Sequence, residues 1–139
     1  MKKTLLITLD FTPVIGGISR YWESLLQHLP QESCVVLTVP AQESSKFKVQ
    51  SSVTHTYSVY RRNLISRWWY PHWIPTVWHL CRIIRKERIE HMIAAQVLPV
   101  GTAAMIASKI MRIPYSISAH GMDVMLAMRS SRKRTISRR

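Results

Sequence analysis

Two short stretches carry residue types that suit a polar ligand. In "PVIGGIS", Gly16 and Gly17 stand side by side at the entrance of an amphipathic segment. Adjacent glycines let a ligand approach backbone amides, and a helix beginning there offers unpaired N–H groups at its positive dipole end. In "SAHGMD", His120 directly follows an expected strand and precedes Gly121. A neutral imidazole can donate a hydrogen bond to a sugar hydroxyl or a phosphate, and Gly121 leaves room for a ligand beside the backbone. Each stretch also has a plain structural reading. The glycines suit a strand-to-helix turn that needs positive φ, His120 suits a structural polar position, and Asp123 suits a helix N-cap. There is no GxGxxG and no GxxxxGK[ST], so the dinucleotide and P-loop fingerprints are missing. Cys34 and Cys81 form no CxxC or Cys/His metal spacing. They read as reduced, buried thiols, which suits a reducing compartment.

The elements that must position these residues follow from hydrophobic patterning. Thr4–Leu9 is an unbroken apolar run of strand length and lacks alternation, as strands buried on both faces do. Asp10–Gly17 reads as a loop. Ile18–Leu29 reads as a helix with Ile18, Tyr21, Trp22, Leu25, Leu26 and Leu29 on one stripe, ended by Pro30. Cys34–Val39 is a second strand of the buried type, residues 41–52 are a polar loop, and Val53–Tyr60 partly alternates as a third strand. A helix is expected from Thr76 to Arg88 with Val77, Leu80, Cys81 and Ile84 toward the core. Then follow a strand at His91–Ala95, a helix of small and apolar residues at Pro99–Met111, and a strand at Pro114–Ala119. Strands alternating with helices predict an α/β fold, a doubly wound parallel sheet with helices on both faces. In such a sheet ligands sit outside the carboxyl ends of the strands. Gly16, Gly17, Gln96 and His120 are therefore expected on one rim.

Composition bounds the partners. The 139 residues suit one domain, and 47% hydrophobic residues can build a sizeable core. Lys and Arg number 20 against 7 Asp and Glu, a formal net charge of +13, which predicts an anionic partner. The excess is concentrated in residues 61–88 and 129–139. Within "RRNLISRWWYPHWIPTVWHLCRIIRK", Arg61, Arg62, Arg67, Trp68, Trp69, Trp78, Arg82 and Arg85 combine interfacial aromatics with cations that attract anionic headgroups. Trp78, Arg82 and Arg85 share a helix face beside the core face. An acceptor or membrane surface is one reading. Others are a core helix with solvated arginines, and a contact with another domain or partner. Nucleic acid is the rival from a different class: the charge permits it, but no binding-module signature is visible. The start "MKKTLLITLDF" imitates a signal peptide, but its apolar run is short and Asp10 interrupts it. No window is long and apolar enough for a spanning helix.

Taken together, "FTPVIGGISRYWESLLQHL", "AAQVLPVGTAAMIASKIMRIPYSISAHG" and "IPYSISAHGMD" resemble the N-terminal domain of family 4 retaining glycosyltransferases. That family has a Pro-x-x-Gly-Gly-Ile segment after its first strand and a later strand ending in His-Gly-x-Asp. The resemblance spans nearly the whole chain. It implies the N-terminal, acceptor-side half of a GT-B fold, with a Rossmann-like sheet and the active site between two such domains. It implies a nucleotide-sugar donor as substrate, retention at the anomeric carbon, and no cofactor or obligatory metal. By the same resemblance Gly16, Gly17 and Gly121 lie near the donor, and His120 hydrogen-bonds its sugar as a catalytic group. The family's Glu-x7-Glu motif is missing, and the chain stops at "SRKRTISRR". A fragment, a truncated reading frame or one half of a split enzyme is therefore expected, inactive without a C-terminal donor domain or a second chain. The expected setting is cytoplasmic, with peripheral attachment to the inner membrane face, in envelope polysaccharide synthesis. A non-catalytic membrane-recruiting subunit is the alternative that keeps the fold.

Overall fold

The computed structural model describes residues 2–12, 16–30, 32–40, 57–64 and 71–120. Five strands form one sheet: β1 (Thr4–Ile7), β2 (Cys34–Thr38), β3 (Ser58–Arg61), β4 (His91–Ala94) and β5 (Tyr115–Ile117). Their spatial order is β3-β2-β1-β4-β5 and every neighbouring pair is parallel. Among the described residues three α-helices accompany them: α1 (Gly17–Gln27), α2 (Ile74–Glu87) and α3 (Thr102–Met111). The chain leaves β1 toward β2 on one side and leaves β4 toward β5 on the other. The order reverses between β1 and β4, where open α/β sheets form their ligand crevice.

The unbroken apolar strands are explained by cover on both faces. Leu5, Ile7, Val35, Leu37, Met92 and Ala94 join one core cluster with Leu80, Ile83 and Ile84 of α2 and Ala103, Ala104 and Ala107 of α3. The alternate residues Leu6, Val36 and Ala95 join a second cluster with Trp22 and Leu26 of α1. Side chains alternate faces along a strand, so α2 and α3 lie on one face of the sheet and α1 on the other. The three alanines keep α3 close to the sheet. The arrangement is the Rossmann-like α/β fold expected, consistent with half of a GT-B fold.

Several boundaries and faces differ from the expectations. Helix α2 begins at Ile74, before Pro75, because proline is tolerated in a helix's first turn. Its fully buried residues are Thr76, Leu80, Ile83 and Ile84, while Val77 and Cys81 are half-buried. The segment Val97–Gly101 before α3 is kinked, with Leu98 in extended backbone (φ −131°, ψ 139°), so the regular α-helix starts at Thr102 and not at Pro99. Helix α1 ends at Gln27, where His28 Nδ1–H donates to the Ser24 carbonyl at 2.7 Å. Only part of its stripe is core: Tyr21 is 53% exposed and Leu25 42%. Leu25 instead fronts an apolar groove of about 510 Å³ shared with Leu26, Leu29 and Ile93. Residues 53–56 of the expected third strand lie outside the described residues.

Candidate functional site at the carboxyl rim of the sheet

The loop after β1 is fixed by a backbone bond to β2 and by side chains from beyond β4 and from β3. Thr8 N–H donates to the Leu37 carbonyl at 3.0 Å, carrying the β1–β2 pairing past the end of β1. The buried Thr8 hydroxyl donates to the Asp10 carbonyl at 3.0 Å and accepts from Asp10 N–H at 3.2 Å, which closes a tight local turn. From beyond β4, the buried Gln96 accepts from Leu9 N–H at 3.2 Å through Oε1. Its Nε2 donates to Asp10 Oδ2 at 3.4 Å. From the end of β3, Arg61 donates to the Thr12 carbonyl at 2.6 Å. Buried polar groups of this kind are retained where they are paired, and these pairs lock the rim. The sequence marked Gln96 as a rim residue and Asp10 only as part of a loop. Their pairing across the β1–β4 junction carries no local sequence signal.

Gly16 precedes α1 with extended backbone, φ −161°, and no glycine among the described residues has positive φ. The reading of these glycines as a turn that needs the left-handed region is therefore corrected. Gly16 N–H donates to the Ser19 hydroxyl at 2.9 Å, and that hydroxyl donates to the Gly16 carbonyl at 2.9 Å. Glycine supplies no N-cap side chain, and no side-chain cap bonds the first turn of α1 among the described residues. A Cβ built at Gly17 meets no atom within 4 Å. The space beside Gly17 is therefore not filled by the fold.

That space is a cleft of about 400 Å³ lined by Gly17, Ile18, Tyr21, Ser118, Ala119 and His120. It brings together the two stretches on which the sequence reading rested. Ser118 N–H donates to the Ala94 carbonyl at 2.8 Å, which extends the β4–β5 pairing and holds the segment leading to His120. The His120 ring sits edge-on to Trp22 at 6.4 Å between centroids and to Tyr21 at 6.1 Å. Tyr21 is exposed because it walls this cleft, a role that helical periodicity could not separate from core. Gly121 and Asp123 lie outside the described residues.

The basic aromatic residues fall elsewhere. Trp78 is 58% exposed, with the Arg82 guanidinium over its ring at 5.5 Å. Trp78, Cys81, Arg82, Arg85 and Lys86 line a shallow groove of about 470 Å³ on the outer side of α2. Arg62 and Arg82 stand near His79, whose pKa is held below the ordinary imidazole value by burial first and then by these two cations. Arg61 is apart from this group and points to the β1 loop. Arg67, Trp68 and Trp69 lie outside the described residues. Both cysteines are free, and burial pushes the Cys34 thiol up to about 11, as suits a core side chain. Among the described residues no three His, Cys, Asp or Glu side chains cluster to hold a metal ion.

A family model described as a glycosyl transferase 4-like domain matches residues 16–139, from the first of the paired glycines onward. No curated protein matches the chain.

Proposed function

The chain belongs to the glycosyl transferase 4-like family, and we propose that its carboxyl rim forms one wall of a site where a sugar passes from a nucleotide-sugar donor to an acceptor. The observation that carries this reading is the single cleft lined by Gly17 and His120, at the amino end of α1 and just beyond β5. The donor diphosphate would lie against the first turn of α1, where the amides of a helix's amino end and its dipole favour negative charge. That charge grows as the leaving nucleotide departs, so the same amides stabilise the transition state more than the ground state. His120 would donate a hydrogen bond to the sugar near its anomeric carbon. The rings of Tyr21 and Trp22 hold its orientation. The Thr8–Asp10–Gln96 bonds and Arg61 fix the loop that leads from β1 toward α1.

This wall is open, so the reading assigns the remaining donor contacts to a further domain or a second chain, and expects no transfer by this domain alone. Retention at the anomeric carbon without an obligatory metal is the family reading. The test has two parts. Nucleotide-sugar added to the isotopically labelled full chain should shift the amide signals of Gly17 and Ile18, and Gly17→Val should abolish the shift. In the assembled transferase, His120→Ala should lower kcat about 10²–10³-fold, the scale of one lost transition-state hydrogen bond. Unmoved amides together with unchanged turnover would sink the proposal.

A further inference from the structure

Beyond the rim, α2 carries an outward face that neither the core nor the cleft uses. Ile74 is 40% exposed and Trp78 58%, one helical turn apart. Arg82, stacked on Trp78, continues the line, and Arg85 and Lys86 follow, all exposed. Arg62, also exposed, lies near the same turn through His79. Among the described residues the one ion pair is Lys3–Glu87, and no described carboxylate pairs with Arg62, Arg82 or Arg85. Lys86 is partly engaged, donating to the Tyr60 hydroxyl at 3.1 Å and lying over its ring at 5.2 Å. The face thus has an apolar amino half and a cationic carboxyl half.

We infer that this face of α2 docks the protein on an anionic lipid surface. Exposed tryptophan beside an aliphatic side chain gains from the membrane–water interface, and exposed arginines gain from anionic headgroups. The net charge of +13 complements such a surface. Single-stranded nucleic acid would need the Trp78 ring open for base stacking. Arg82 already occupies one face of that ring at 5.5 Å, and Ile74 offers no stacking face. The groove of about 470 Å³ between Trp78 and Lys86 suits a phosphate headgroup among the side chains. The inference stands apart from the sugar-transfer reading, and its test needs no donor.

The experiment is co-sedimentation of the full chain with phosphatidylglycerol–phosphatidylcholine vesicles and with pure phosphatidylcholine vesicles, across a salt series. Binding to the anionic vesicles is expected, falling with salt. Arg82→Gln and Arg85→Gln should each weaken it about fivefold, the equivalent of about 1 kcal/mol for a basic residue at the surface. Lys109→Gln, an exposed cation on α3, should change it less than about twofold. Brominated lipid should quench part of the tryptophan emission, and Trp78→Phe should remove that part. Thermal melts confirm that each variant is folded, and the single Arg85→Gln change carries the test if Arg82→Gln is not. Equal losses from Lys109→Gln and Arg85→Gln would show attraction by net charge alone and overturn the inference. Salt-sensitive binding to random oligonucleotides without preference for anionic vesicles would overturn it in favour of nucleic acid.

Discussion

A methyl group placed at Gly17 and one placed at Gly101 meet opposite surroundings. At Gly101 the new Cβ would stand 3.0 Å from the Gln96 carbonyl oxygen and 3.2 Å from Ile117 Cδ1. Backbone must move to admit it, so Gly101→Ala should destabilise the chain by about 1–3 kcal/mol in urea unfolding. At Gly17 nothing is near, and alanine there should stabilise by about 0.4–1 kcal/mol through the unfolded state, raising Tm by about 1–4 °C. A second pair of effects belongs to Glu87. Lys3 donates to its Oε2 at 2.8 Å and Tyr60 to its Oε1 at 2.5 Å. These bonds, Lys3 first, hold its carboxyl below the ordinary value. The folded value is then below the unfolded one. The stabilisation is complete above the unfolded carboxylate range and is lost as pH falls through the folded value. Melting temperatures of the wild type and Glu87→Gln, followed from neutral to acid pH, should therefore differ most at neutral pH and converge in acid. At this scale the meeting of Gly17 and His120 on one rim was legible, because each follows a strand that a parallel sheet ends on the same edge. The Asp10–Gln96 and Lys3–Glu87–Tyr60 contacts were not, because each joins residues far apart in the chain.

Periodicity tells which side of a helix is apolar, but not how far the neighbouring elements reach around it. In α1 the periodicity puts Ile18, Tyr21, Trp22, Leu25, Leu26 and Leu29 on one stripe without saying which of them the sheet covers. The sheet covers Trp22 and Leu26 and leaves Tyr21 to the cleft and Leu25 to the apolar groove. In α2 the core face is turned toward Thr76 and Ile83, partly because Thr76 is held by a hydrogen bond from its hydroxyl to the Leu64 carbonyl. These differences have measurable size. Leu80→Ala, at a fully buried position, should cost about 2–5 kcal/mol. Leu25→Ala should stay within about 0.5 kcal/mol, as at other surface positions. Equal losses from the two in denaturant unfolding would contradict the burial described for α1.

Across the whole molecule, alternation of strands and helices was enough to expect a parallel sheet covered on both faces. The order β3-β2-β1-β4-β5 was not legible, since no local pattern says on which side of β1 the next strand settles. It matters because the reversal beside β1 opens the crevice in which Gly17 and His120 meet. No helix among the described residues is long and apolar enough to cross a membrane. The backbone at Gly16 and Gly17 has one more implication. Both positions have conformations open to ordinary L-residues, and neither is crowded. A variant library sorted only for folded protein should therefore let both glycines drift, toward alanine first at Gly17. The same library sorted for sugar transfer should keep them. Divergence between the two sorted populations at these positions would mark selection by a ligand, where folding alone exerts none.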